Sequence, residues 1–94
     1  MTVVLINPFE IPAGEEEAFL GFWRETAEQV KQQPGFIGTR LHRSLKPDAR
    51  FRFVNVAIWE SEEAYHGAFR RVEIREQQPG VRASPALYEV AAEY

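Results

Sequence analysis

Residues 2–9, TVVLINPF, are apolar on both alternating faces, with Val3, Leu5, Asn7 and Phe9 on one side and Val4, Ile6 and Pro8 on the other. A stretch with two apolar faces predicts a buried strand. Pro12-Ala13-Gly14 ends it, and Glu15-Glu16-Glu17 then places negative charge in a first helical turn, where the helix dipole favours it. From about residue 15 to 33 the period becomes helical: Ala18, Phe19, Phe22, Trp23, Thr26, Ala27 and Val30 make one apolar stripe. Pro34-Gly35 stops that helix. Residues 36–45, FIGTRLHRSL, predict a second strand with Ile37, Leu41 and Leu45 on one face and Arg40, His42 and Ser44 on the other. Lys46 to Arg50 reads as a turn. The third strand, residues 51–60, is again apolar on both faces, Phe51, Phe53, Ala57 and Trp59 against Val54, Val56 and Ile58, with Asn55 the odd polar residue among them. Ser61 caps a second helix carrying Ala64, Tyr65, Ala68, Phe69 and Val72, which ends somewhere between residues 72 and 78. Residues 86–94 alternate as a closing strand with Tyr88, Val90 and Tyr94 on one side.

The two halves repeat. Residues 62–70, EEAYHGAFR, echo residues 16–24, EEAFLGFWR, and Gln32-Gln33-Pro34-Gly35 returns as Gln77-Gln78-Pro79-Gly80. A duplicated strand–helix–strand is the ferredoxin-like βαββαβ arrangement, an α+β fold with an antiparallel sheet and one domain over residues 1–94. Right-handed crossovers put both helices on one face of the sheet. The other face, rich in Val, Ile and Phe, would then lie bare. A second copy of the chain is the natural cover, so the expectation is a homodimer with two sheets packed face to face, against the alternative of a monomer whose C-terminal segment folds back.

Composition narrows the partners. With 94 residues, 45% hydrophobic and 27% charged, the chain is ordinary for a small globular protein. A net charge of −3 with scattered Lys and Arg excludes a nucleic-acid footprint. The longest early apolar run, Val3 to Ile6, is too short for a membrane span or signal core. Cysteine is absent, which fits a reducing, cytoplasmic setting.

Candidate chemistry is sparse. Asn7 and Asn55 occupy corresponding strands of the two halves, expected adjacent and parallel, where paired amides could hold a carbonyl or phenolate oxygen in an apolar pocket. Equally, each amide could satisfy backbone at a strand end. Trp59, Tyr65 and Phe22 are candidates to line that pocket, while Trp23 and Phe69, at equivalent positions of the repeat, read as core. His42 shares a face with Arg40 and is a candidate substrate contact, or meets a partner or solvent. His66 follows Tyr65 off the apolar stripe and reads as a surface residue or a substrate contact. Two histidines on different elements define no metal site, and no cofactor motif is present.

Leu5-Ile6-Asn7-Pro8-Phe9, Gln33-Pro34-Gly35-Phe36, Leu41-His42-Arg43-Ser44, and Asn55-Val56 leading to Trp59-Glu60-Ser61 and Ala64-Tyr65 together resemble the antibiotic biosynthesis monooxygenase domain family, across essentially the whole chain. The resemblance implies a dimeric α+β barrel. In some members it implies oxygenation of polycyclic aromatic or quinol-type substrates without metal or flavin; other members degrade haem. The haem-degrading branch uses an Asn on the first strand, which Asn7 matches, together with a Trp and a haem-ligating His on the second helix. Those places fall near Ala68 and Gln78, and His66 lies about three turns too early to serve. The expectation is therefore a cofactor-independent monooxygenase-like protein with Asn7 orienting the reacting oxygen, the alternative being a non-catalytic dimeric ligand-binding or stress-related module.

Overall fold

The computed structural model describes residues 1–74 and 78–94. Its elements run β1 (Val3–Glu10), α1 (Glu16–Val30), β2 (Phe36–Arg43), β3 (Phe53–Trp59), α2 (Glu62–Arg71), β4 (Arg82–Ala83) and β5 (Ala86–Tyr88). The strands lie in the order β2-β3-β1-β4, with β5 also on β1. This is the ferredoxin-like α+β fold that the duplicated pattern predicts.

One part of that expectation is corrected. β1 and β3 are neighbours but run antiparallel, from Val3 opposite Trp59 to Phe9 opposite Phe53. The cause is connection length. A short turn joins β2 to β3 and forces them antiparallel, while the α1 crossover returns the chain so that β2 runs with β1. β3, lying between the two, must oppose both. Asn7 and Asn55 are direct register partners as a result.

The closing strand differs too. β4 and β5 hold one register against β1, with Phe9 opposite Ala83 and Ile6 opposite Ala86, so the break between them falls at Ser84-Pro85 and sets Pro85 opposite Asn7. Proline has no N–H to give the ladder. After Tyr88, which faces Val4, only Val3 of β1 is left to pair. The strand therefore stops, leaving Tyr88, Val90 and Tyr94 exposed.

The helices seal one face of the sheet. Leu5, Val30, Ala57, Trp59 and Ala68 form one buried cluster, with Phe36, Tyr65, Phe69 and Leu87 among the residues packed on it. Phe9, Phe19, Leu20 and Phe53 form the other. Ring centroids 4.7 Å apart for Phe9 and Phe19, and 5.0 Å for Phe19 and Phe53, make a continuous aromatic stack from sheet to helix. Each such buried ring is worth about 1.5–3 kcal/mol over an exposed one. The α1 stripe is rotated from its predicted position: Leu20 is buried in the second cluster and Ala18 is exposed. α1 also ends at Val30, and a turn closes the chain through the Gln33 N–H to the Val30 carbonyl, 3.0 Å. On β2 a register shift lies between Phe36 and Gly38. Ile37 is half exposed, and Leu45, beyond the strand's end, is fully exposed rather than facing inward with Leu41.

Ser61 caps α2 as expected, its Oγ accepting the Ala64 N–H at 3.0 Å. Its apolar stripe is also as expected, with Ala68 buried and Ala64, Tyr65, Phe69 and Val72 packed around it. The predicted limit of this helix partly falls on residues 75–77, outside the described residues. The repeated Pro-Gly motifs are turns in which Gly35 and Gly80 take φ of +86° and +88°. The sheet face away from the helices carries half-buried Val4, Ile6, Val54 and Val56, with Ile58 40% exposed.

Candidate functional site

Between sheet and helices the packing leaves two adjoining cavities. An inner one of about 60 Å³ is bounded by Val30, Phe36, Thr39, Ala57 and Trp59, among others. An outer one of about 260 Å³ is bounded by Asn7, Phe22, Tyr65, Ile74, Ala83 and Pro85, among others. Leu5, Trp23, Thr26, Asn55 and Phe69 line both, so the two are compartments of one cleft. Alternation along β1 and β3 aims Asn7 and Asn55 at the helices, in rows that also hold Leu5, Phe9, Phe53 and Ala57.

The polar groups in this apolar setting are few, and their partners define what the cleft offers. Thr39 Oγ1 donates to Asn55 Oδ1 at 2.5 Å, so the Asn55 carbonyl is occupied and its amide nitrogen remains as a donor. Asn7 Oδ1 is buried without a hydrogen-bond partner, and so is Trp59 Nε1. A buried unmet polar atom costs about 1–3 kcal/mol; of the four such side-chain atoms among the described residues, these two lie in the cleft, and Arg52 Nε and Gln78 Oε1 lie outside its lining. Thr26 is not available, since its Oγ1 donates to the Phe22 carbonyl one turn back at 3.0 Å. Burial pushes the Tyr65 phenol above its ordinary 10.0, so it stays protonated and donating at neutral pH. Among the described residues no carboxylate, histidine or lysine lines either compartment.

The structure brings together Asn7, Asn55, Tyr65 and Phe22 in the outer compartment, with Trp59 behind them in the inner one. It does not bring in the histidines. His42 lies on the far face of the sheet beside Arg40, Val56 and Ile58, its Nδ1 3.3 Å from the Val54 carbonyl. His66 is exposed on α2 and meets Glu62 at 3.2 Å. Among the described residues no three His, Cys, Asp or Glu side chains converge as a metal site, and no helix is long and apolar enough to cross a membrane.

Sequence reasoning missed Thr39; Trp23 and Phe69, read as core, do pack against the two buried clusters and are also walls of both compartments. A signal for Thr39 existed. In the β2–β3 hairpin Leu41 faces Asn55 and Thr39 faces Ala57, so Thr39 is the diagonal neighbour of Asn55 on the same face.

An apolar cleft under helices on a ferredoxin-like sheet, with amide and indole groups in place of charged ones, defines a small-molecule-binding protein of monooxygenase-like fold. The chain belongs to the antibiotic biosynthesis monooxygenase family, whose profile matches residues 2–79. It is 42% identical over 65 residues to a haem oxygenase (mycobilin-producing) of Mycobacterium tuberculosis, a match covering 69% of this chain and 60% of that relative's length. The crystal structure of a candidate monooxygenase from Shewanella loihica PV-4 superposes with a TM-score of 0.89 at 37% identity, covering 98% of this chain and 96% of that one. SnoaB, a cofactor-independent oxygenase from Streptomyces nogalater, shares the fold with a TM-score of 0.76 at 23% identity, covering 98% and 95% of the two chains.

Proposed function

We propose that this protein is a monooxygenase that oxidises a small, electron-rich aromatic of quinol type, bound in the cleft with its oxygen function between Asn7 and Asn55. The observation that carries the proposal is the buried, partnerless Asn7 Oδ1 directly across the ladder from an Asn55 whose amide nitrogen is left as donor. One acceptor beside one donor suits a hydroxyl next to a carbonyl. Trp59 and Tyr65 supply further donors, and Phe22 and Phe69 supply flat apolar walls.

The chemistry follows from what the cleft lacks as well as what it holds. With no basic side chain among the described residues of its lining, the substrate ionises by itself, helped by N–H donors that stabilise the anion and lower its pKa. An activated methylene then passes electrons to oxygen: R₂CH₂ + O₂ gives R₂C=O + H₂O, the two C–H bonds supplying the four electrons that reduce O₂ to a carbonyl oxygen and water. Haem degradation is less well supported. Near the positions where a Trp and a haem ligand are needed, Ala68 is fully buried in the core and Gln78 donates to the Ala18 carbonyl at 3.1 Å. Tyr65, held protonated by burial, is a poor axial ligand.

Oxygen-electrode assays with a panel of hydroquinones, naphthols and anthrones test the reading. Oxygen uptake equimolar with ketone formation is expected, falling about a hundredfold in Asn55→Ala, the usual effect of removing one oxyanion donor. Tight binding with background uptake across the panel would instead mark a binding module.

The proposal extends to assembly and setting. We infer a single-domain homodimer joined through the bare sheet face of Val4, Ile6, Val54, Val56 and Ile58, because those apolar groups have no cover in one chain. Light scattering at micromolar concentration is expected to give twice the monomer mass, and a monomer mass refutes it. The absence of cysteine supports a reducing cytoplasm.

A further inference from the structure

A third cavity, of about 290 Å³, lies beside the cleft and is lined by Leu20, Trp23, Arg24, Leu41, Arg43 and Phe53. Its construction is legible residue by residue. On α1, Arg24 follows Trp23 and sits one turn beyond Leu20. On β2, Arg43 has the same alternation as Thr39 and Leu41 and so faces the helices, opposite Phe53 on β3. The Arg43 guanidinium lies 5.5 Å from the centre of the Phe53 ring. Phe53, Leu20 and Leu41 thus give an apolar floor, with the exposed Arg24 and Arg43 completing the wall.

Among the described residues no carboxylate lines this cavity. Lys31 pairs with Glu28, Arg50 with Glu10 and His66 with Glu62, and neither Arg24 nor Arg43 enters one of these ion pairs. In a chain of net charge −3, two cations without a carboxylate partner over an apolar floor are a local reversal of sign. Guanidinium forks match a carboxylate with two parallel N–H donors, whereas a neutral ligand leaves them to water. Trp23 is a wall that this cavity shares with both compartments of the cleft.

We propose that Arg24 and Arg43 form an anionic subsite, and that the ligand of the cleft is an aromatic carboxylic acid. Its ring system lies on the Asn7–Asn55 side of Trp23 and its carboxylate on the arginine side. The inference rests on the reading of the cleft as a ligand site and adds to it the charge of the ligand.

Calorimetric titration of two isosteric probes, 2-naphthoic acid and 2-naphthamide, separates the two ideas. Wild-type protein is expected to bind the acid about tenfold more tightly than the amide, the effect of a charge-assisted hydrogen bond that is partly open to solvent. That preference should shrink as salt rises. Arg24→Gln and Arg43→Gln should each weaken the acid several-fold, and the double variant should bind both probes alike, with amide affinity unchanged. Equal binding of acid and amide by wild type, or a preference that survives in the double variant, overturns the subsite and leaves the cleft standing. Failure of both probes to bind wild type, or amide binding that is unchanged in Asn55→Ala, overturns the cleft reading and the subsite with it.

Discussion

Thr39 Oγ1 donates to Asn55 Oδ1 at 2.5 Å across the β2–β3 hairpin, and this one bond decides which end of the Asn55 amide is left for a ligand. Thr39→Val keeps the volume and removes the donor. A loss of about 1 kcal/mol in urea unfolding is expected, together with a several-fold loss of aromatic affinity, because the amide is then free to turn its oxygen toward the ligand. Thr39→Ser should restore both quantities. Unchanged affinity in Thr39→Val would show that the amide is oriented by something else.

Gly35 carries the chain from α1 into β2 with φ at +86°, and its carbonyl accepts the Glu60 N–H at 2.8 Å. An added Cβ would collide with the Cβ of Ala64 at the start of α2. Gly35→Ala is therefore expected to cost more than about 2 kcal/mol, from left-handed strain plus overlap. Gly21→Ala is the control, since its Cβ meets nothing within 4 Å on an exposed helical turn. It should raise stability by up to about 1 kcal/mol. Urea midpoints of the two variants check both signs.

The Tyr65 phenol has its pKa raised by burial in the folded chain, so folding favours its protonated form. The linkage follows directly: between the unfolded value near 10 and the higher folded value, the native state binds more protons, and stability falls as pH rises through that window. Below pH 10 the contribution is fully present. Unfolding free energy measured from pH 9 to 11 should decline more steeply in the wild type than in Tyr65→Phe, which cannot ionise.

The alternation of β1 and β3, the cap at Ser61 and the duplicated Pro-Gly turns were legible because each is a local rule acting on neighbouring residues. What local pattern could not supply was direction and register. Whether β1 and β3 run together or opposed depends on the lengths of connections far along the chain, and the pairing of Asn7 with Asn55 follows only once that is known. The closing strand shows the same limit. Alternation continues to Tyr94, but pairing stops at Tyr88 where β1 runs short, and it breaks at Pro85 opposite Asn7. Trp23 and Phe69 fit a helical stripe equally well as core or as cavity wall, since the pattern reports which face is apolar and not how completely it is filled.

The central claim is that Asn7 is kept for a ligand at the expense of the fold. Its Oδ1 is buried without a partner, so Asn7→Leu removes an unmet acceptor and replaces it with a group of similar size that suits the apolar wall. Urea unfolding and titration with a hydroxynaphthoquinone, run on the same preparations of wild type and Asn7→Leu, test this directly. The account predicts a stability gain of about 1 kcal/mol with at least a tenfold loss of affinity. A variant that is less stable than wild type yet binds the ligand equally well would contradict it.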